Sequence, residues 1–218
     1  MKTLLPLAAL IILLASCSSQ NTEATKVTSS KIDTATLPKD IKHKGGIDTA
    51  IKYTDNEGEH ILITSEDADI DGDRLTGVYL YAYCYKLTGD KWRPEWHMSD
   101  MVNQCQEDVA GDFLPGTFAI TDLNHDGKAE VWLMYRLACR GDVSPSDMKV
   151  IMHEGSKKYA MRGGSKVKVN ATDYYGGDYK FDDAFQKAPA IFRQHAQQLW
   201  EKNKNENFDV EHPNGKFN

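Results

Sequence analysis

The chain has 218 residues, 40% of them hydrophobic and 27% charged, which suits one globular domain with its own core and excludes a disordered polymer. Lys and Arg number 26 against 32 Asp and Glu, a formal charge of −6, so no basic field is available for nucleic acid and no such partner is expected. Sixteen glycines and seven prolines exclude collagen-like and low-complexity classes.

Lys2 precedes an eleven-residue apolar run, Leu4 to Leu14, which is too short for a membrane span. The run ends in Leu14-Ala15-Ser16-Cys17. This tetrapeptide resembles the lipobox of bacterial lipoproteins, in which the cysteine thiol is acylated and becomes the mature N-terminus. The resemblance implies a signal peptide over 1–16, lipid on Cys17 and a membrane partner through that lipid. Ser18 rather than Asp after the cysteine implies sorting to the outer membrane. The alternative is an ordinary secretory signal with an incidental cysteine.

Nine of the twenty residues from Ser18 to Leu37 are Ser or Thr, a composition unable to bury enough surface to offset chain entropy. A tether is therefore expected over 17–40, with folding starting near Pro38 or Ile41. A globular domain should follow over 41–202, and a frayed polar tail over 203–218.

Within the domain the dominant period is two. Ile47–Tyr53 and His60–Thr64 read as strands around Asp55-Asn56-Glu57-Gly58. From Val78 to Leu87 the odd positions are Tyr79, Tyr81, Tyr83 and Tyr85, and the even ones Val78, Leu80, Ala82 and Cys84, so both faces should be covered at least in part. Thr88-Gly89-Asp90 turns into a partner strand carrying Trp92 and Trp96. Further strands are expected at Phe118–Ile120, Glu130–Tyr135, Val150–His153 and Tyr159–Arg162. One helix is expected: Asp183 and Gln186 as a capping pair, then Ala188, Ile191, Phe192, Ala196 and Leu199 at helical spacing, with Pro189 as a start or kink. The expected fold is mostly β (α+β), an antiparallel β domain with one C-terminal helix.

With Cys17 assigned to lipid, Cys84, Cys105 and Cys139 remain. Three thiols leave either one disulfide and one free cysteine or no disulfide. Cys84 lies mid-strand on an apolar face, whereas Cys105 and Cys139 have polar, loop-like neighbours, which favours a Cys105–Cys139 bridge.

Asp122-Leu123-Asn124-His125-Asp126-Gly127-Lys128-Ala129-Glu130 places oxygens at alternate positions of a tight loop, the pattern a hard cation needs. Asp122, Asn124 and Asp126 take positions one, three and five, the Lys128 carbonyl position seven and Glu130 position nine. Leu133 at position twelve excludes an EF-hand. The loop resembles those of integrin-type FG-GAP repeats, which implies calcium as cofactor. The alternative is an Asx-rich turn capping its own backbone. Asp67 to Asp73 begins the same way but has Leu75 at position nine, and a bare acidic turn is expected there.

Tyr79, Tyr81, Tyr83 and Tyr85 with Trp92 and Trp96 form a candidate platform for sugar rings, packing being the alternative. Arg140-Gly141-Asp142 spells an adhesive tripeptide, but three letters recur by chance, and the neighbouring Cys139 points to a constrained turn instead. No nucleophile elbow, phosphate-binding glycine loop or zinc-protease motif occurs. Ile120 to Glu130, Cys139 to Pro145 and Met161-Arg162-Gly163 resemble a family of small envelope lipoproteins, some labelled as linked to surface polysaccharide biosynthesis. The expectation is a non-enzymatic outer-membrane lipoprotein binding an envelope protein or glycan through a calcium-holding β domain. The alternative is an enzyme or accessory factor acting on surface glycans.

Overall fold

The computed structural model describes residues 26–170 and 172–206; Cys17 and the signal region lie outside them. Strands β1 (Thr28–Lys31), β2 (Gly46–Asp55), β3 (Gly58–Asp71), β4 (Arg74–Thr88) and β5 (Lys91–Val102) form one antiparallel sheet in that order. A second antiparallel sheet has the order β13-β10-β9-β8-β6, with β7 also paired to β8. Its strands are β6 (Asp108–Phe113), β7 (Ala119–Thr121), β8 (Glu130–Arg140), β9 (Asp147–Glu154), β10 (Lys157–Gly164) and β13 (Tyr179–Phe181). A small third sheet joins β12 (Tyr174–Gly176), β11 (Lys166–Lys168) and β14 (Asn205–Glu206), the last two in parallel. The protein is thus mostly β.

Side-chain alternation explains the layering. The even residues of β4, Val78, Leu80, Ala82 and Cys84, meet Val131, Leu133, Tyr135 and Leu137 of β8 in one core between the sheets. The other face of β8, Trp132 and Met134, packs with Met148, Val150, Met152 and Met161 beneath the helices. Buried on both sides, β8 reads as an apolar run rather than an alternation. The outer face of the first sheet, Ala50, Ile61, Ile63 and Tyr85, is covered by Ile41 and, at its margin, Ile32 and Leu37.

Two helices follow the last long strand, α1 (Asp183–Gln186) and α2 (Ala190–Asn203). Asp182, not Asp183, caps the first: its carboxylate accepts from Phe185 N at 2.8 Å. Pro189 is the N-cap of α2, and Phe192, Ala196 and Trp200 form its buried stripe. Ile191, expected on that stripe, is 38% exposed, while Trp200 is fully buried. Among the described residues, no helix is long and apolar enough to cross a membrane.

Both expected boundaries of the domain shift outward. The stretch expected as tether enters the first sheet at Thr28, where β1 pairs with β2. Asn205 and Glu206, within the stretch expected to fray, pair with β11.

Candidate functional site

The loop between β7 and β8 is wound around its own side chains. Asn124 Oδ1 accepts from Asp126 N at 3.2 Å, Asp126 Oδ1 from Lys128 N at 2.9 Å and Asp122 Oδ2 from Gly127 N at 3.2 Å. His125 and Gly127 take φ of 59° and 80°, so the chain reverses through two left-handed residues, and glycine removes the steric cost at the second. The remaining oxygen of the first carboxylate, Asp122 Oδ1, is buried with no hydrogen-bond partner.

The β2–β3 turn clasps this loop from the first sheet. Asn56 N donates to Gly127 O at 2.8 Å, Asn56 Nδ2 to Asp126 O at 2.9 Å, and Ala129 N to Asp55 Oδ2 at 3.0 Å. Glu57 receives Lys128 Nζ at 2.6 Å and Lys86 Nζ at 2.9 Å. Those two ammonium groups, Lys128 first, hold its carboxyl at a pKa of about 2.

Glu130, expected to close the ligand set, is taken up by hydrogen bonds from the start of the same loop. It is fully buried; Thr121 Oγ1 donates to it at 2.6 Å and Leu123 N at 2.9 and 3.0 Å. Burial raises its carboxyl pKa against those hydrogen bonds, and the Asp122 charge adds to the rise. Across the strand pair, Glu154 of β9 is the register partner of Glu130. Glu154 Oε1 accepts from Asn124 Nδ2 at 3.3 Å, and the same nitrogen donates to Asp126 Oδ2 at 3.0 Å. Burial raises the pKa of Glu154, and the Asp126 charge raises it further. The loop spacing shows neither Glu154 nor the Asp55-Asn56-Glu57 clasp, because both come from other hairpins. Among the described residues, no group of three His, Cys, Asp or Glu side chains is placed to hold a metal ion. The loop carries carboxylate, amide and carbonyl oxygens, and one of them, Asp122 Oδ1, is buried without a hydrogen-bond partner.

The six aromatic residues expected on one platform do not share one. Tyr79, Tyr81 and Tyr83 stand in a row, centroids 6.5 and 6.1 Å apart. Tyr81 and Tyr85 are nevertheless buried at 9% and 5% exposure. Tyr85 OH donates to Lys42 O, and Tyr83 OH accepts from Lys44 N at 3.2 Å, so the incoming N-terminal segment is fastened over this face. Trp92 lies half-buried beside Tyr83 and Tyr85. Trp96 belongs to the core between the sheets, because a β-bulge at Cys84/Tyr85 shifts the register of β5. A cleft of about 440 Å³ remains, lined by Tyr81, Tyr83, Tyr85, Pro94 and His97 among others.

A disulfide joins Cys105 and Cys139, with Cα atoms 5.7 Å apart. Cys84 is a buried free thiol, 3.3 Å from Tyr53 OH and 3.5 Å from Glu95 Oε2. The Arg140-Gly141-Asp142 tripeptide is not presented as an adhesive loop, since the Arg140 guanidinium binds buried Glu206 at 2.5 Å and the Ser144 carbonyl. Comparison with protein-family models, curated proteins and solved structures finds no match for the chain.

Proposed function

We propose that this chain is an envelope lipoprotein, anchored through Cys17, whose β domain serves binding or assembly and holds one calcium ion in the β7–β8 loop. The carrying observation is Asp122 Oδ1, a buried carboxylate oxygen without a partner inside a loop of the D-x-N-x-D-G type. Leaving such a group unpaired costs free energy that a cation would recover. Asp122, Asn124, Asp126 and the Lys128 carbonyl are the residues of the loop that would hold it. The ion's role is structural, as it would neutralise carboxylates that otherwise repel one another at short range.

The experiment is a melting series of wild type and Asp126→Ala, each in millimolar calcium and in chelator. Calcium should raise the wild-type Tm, corresponding to about 2.7 kcal/mol at a hundredfold excess over Kd, and leave the variant unmoved. A wild type indifferent to calcium would refute the cation. Anchoring is tested separately: labelled fatty acid should enter wild type and not Cys17→Ala, and membrane association of both forms would refute the lipid.

A second reading, action on surface glycans, draws support from the cleft beside Tyr83 and His97. Saturable glycan binding that is lost in Tyr83→Ala would favour it.

A further inference from the structure

We infer that the cleft over the tyrosine row takes an acidic saccharide, with Lys44 and His97 holding its anionic group. The inference rests on the glycan reading above and adds the ligand's charge and the residues that select it.

The segment that carries the cations is fastened down by its backbone. Lys42 N donates to Tyr85 OH at 3.0 Å, Lys44 N to Tyr83 OH at 3.2 Å, and Lys44 O accepts from Ser65 Oγ at 2.7 Å. Gly45 then turns at φ 70°, so close to β3 that a Cβ would lie 2.3 Å from Glu66 O. Lys42, His43 and Lys44 are thus held over the sheet while remaining exposed, and a ligand need not order this segment on binding.

The chain's net charge is −6, yet the cleft of about 440 Å³ is lined by Lys42, Lys44, His43 and His97 and, among the described residues, by no Asp or Glu. Tyr83 brings two of these groups together: its hydroxyl receives Lys44 N, and it is the register partner of His97 across the β4–β5 pair. Lys44 Nζ lies 6.0 Å from the Tyr81 ring centroid, and neither it nor His97 has a carboxylate partner among the described residues. Lys42 is less available, because its Nζ donates to Lys39 O at 2.9 Å. Two acids bordering this face are engaged outside the lining: Asp40 Oδ2 accepts from Trp92 N at 2.8 Å, and Asp69 Oδ2 from Tyr79 OH at 2.5 Å. The tyrosine row therefore has a cationic end at Tyr83 and an acidic end at Tyr79, so an anionic group is drawn to the first and repelled by the second. Between the polar groups, the tyrosine rings offer apolar surface on which the C–H face of a sugar can rest. Lys44 supplies charge to the anion and His97 a ring N–H.

The test is calorimetric titration of the full chain in detergent with three probes: a galacturonate tetramer, a neutral glucose tetramer and the same glucose tetramer carrying one phosphate. At least one acidic probe should bind about tenfold more tightly than the neutral one, and which of them does so tells carboxylate from phosphate. Lys44→Met should weaken that probe by about fivefold and His97→Gln by about threefold, the scale of single partly exposed polar pairs, with any neutral binding held within about twofold. Lys44→Arg should restore the affinity, and Lys202→Met, an exposed lysine on α2 beneath the other sheet, should leave it unchanged. Lys44 and His97 are exposed, so melting curves of their variants should match the wild type and separate lost binding from lost folding. Equal binding of acidic and neutral probes, or wild-type affinity in Lys44→Met, overturns the inference while the glycan reading stands. Equal losses in Lys44→Met and Lys202→Met overturn it too, since the attraction would then belong to the whole surface. If no probe binds, the glycan reading fails and the inference with it.

Discussion

The imidazole of His153 lies flat against the indole of Trp96 across the seam between the two sheets, ring centroids 3.9 Å apart and planes 11° apart. Both imidazole nitrogens are buried without a hydrogen-bond partner. Burial, with a smaller push from the Lys158 charge, lowers the His153 pKa to about 3.

A pH dependence follows. The folded pKa of His153 lies below the unfolded value of about 6.5, so acid protonates the unfolded chain first. The contribution is intact above pH 6.5, declines below it and is fully lost once pH has passed through about 3, amounting to a few kcal/mol. His153→Phe keeps an aromatic ring against Trp96 and removes the titration. Denaturant midpoints measured from pH 7 to 4.5, above most carboxylate titration, should fall less steeply for His153→Phe than for wild type. Parallel slopes would show that His153 does not carry the effect.

Glu206 gathers Arg140 Nη2 at 2.5 Å, Ser146 Oγ at 2.9 Å and Ser165 Oγ at 2.5 Å, with Arg136 Nη1 at 3.9 Å. Burial pushes its pKa up, but hydrogen bonds from Arg140 and Ser165 and both arginine charges bring it below the ordinary value. Glu206→Ala leaves a buried guanidinium without its carboxylate and should cost about 3–5 kcal/mol in urea unfolding. Glu206→Gln, which keeps an acceptor, should cost less. Equal and small effects would mean that the C-terminal strand is not locked by this group.

Gly163 faces β13 at contact distance. A Cβ built there would lie 1.9 Å from Asp178 O and 2.8 Å from Tyr179 Cα, both backbone atoms. Gly163→Ala should therefore force β13 off β10 and cost about 1–3 kcal/mol. Gly164→Ala, whose nearest contact is Pro145 Cβ at 3.3 Å, is the milder control. Hydrogen exchange at Tyr179–Phe181 should quicken in the first variant only.

Asp182 serves two elements at once, accepting from Phe185 N at 2.8 Å and from Ala160 N at 3.0 Å. Asp182→Ala should cost about 1–2 kcal/mol in thermal unfolding, more than a cap lost from an isolated helix. Asp182→Asn should recover part of that loss. No difference between the two would show that the helix start depends on packing alone.

Alternation and local spacing along the chain encode part of this fold directly. Tyr and apolar residues alternating through β4 specify a strand covered on both faces, and the apolar spacing after Pro189 specifies a helix. The same spacing could not say which turn of that helix meets the sheet, so Ile191 is exposed and Trp200 buried. Trp96 reads as a partner of the tyrosines until one bulge residue turns it inward onto His153. The Asp122–Glu130 spacing outlines a loop, yet only tertiary contact buries Glu130 beneath it and brings Glu154 to its rim. Glu206 likewise looks like part of a polar tail until Arg140, Ser146 and Ser165 surround it. Local patterns arise from the backbone's own periods of two and 3.6, whereas pairing between distant charges depends on strand register, which forms only when the sheets close on one another.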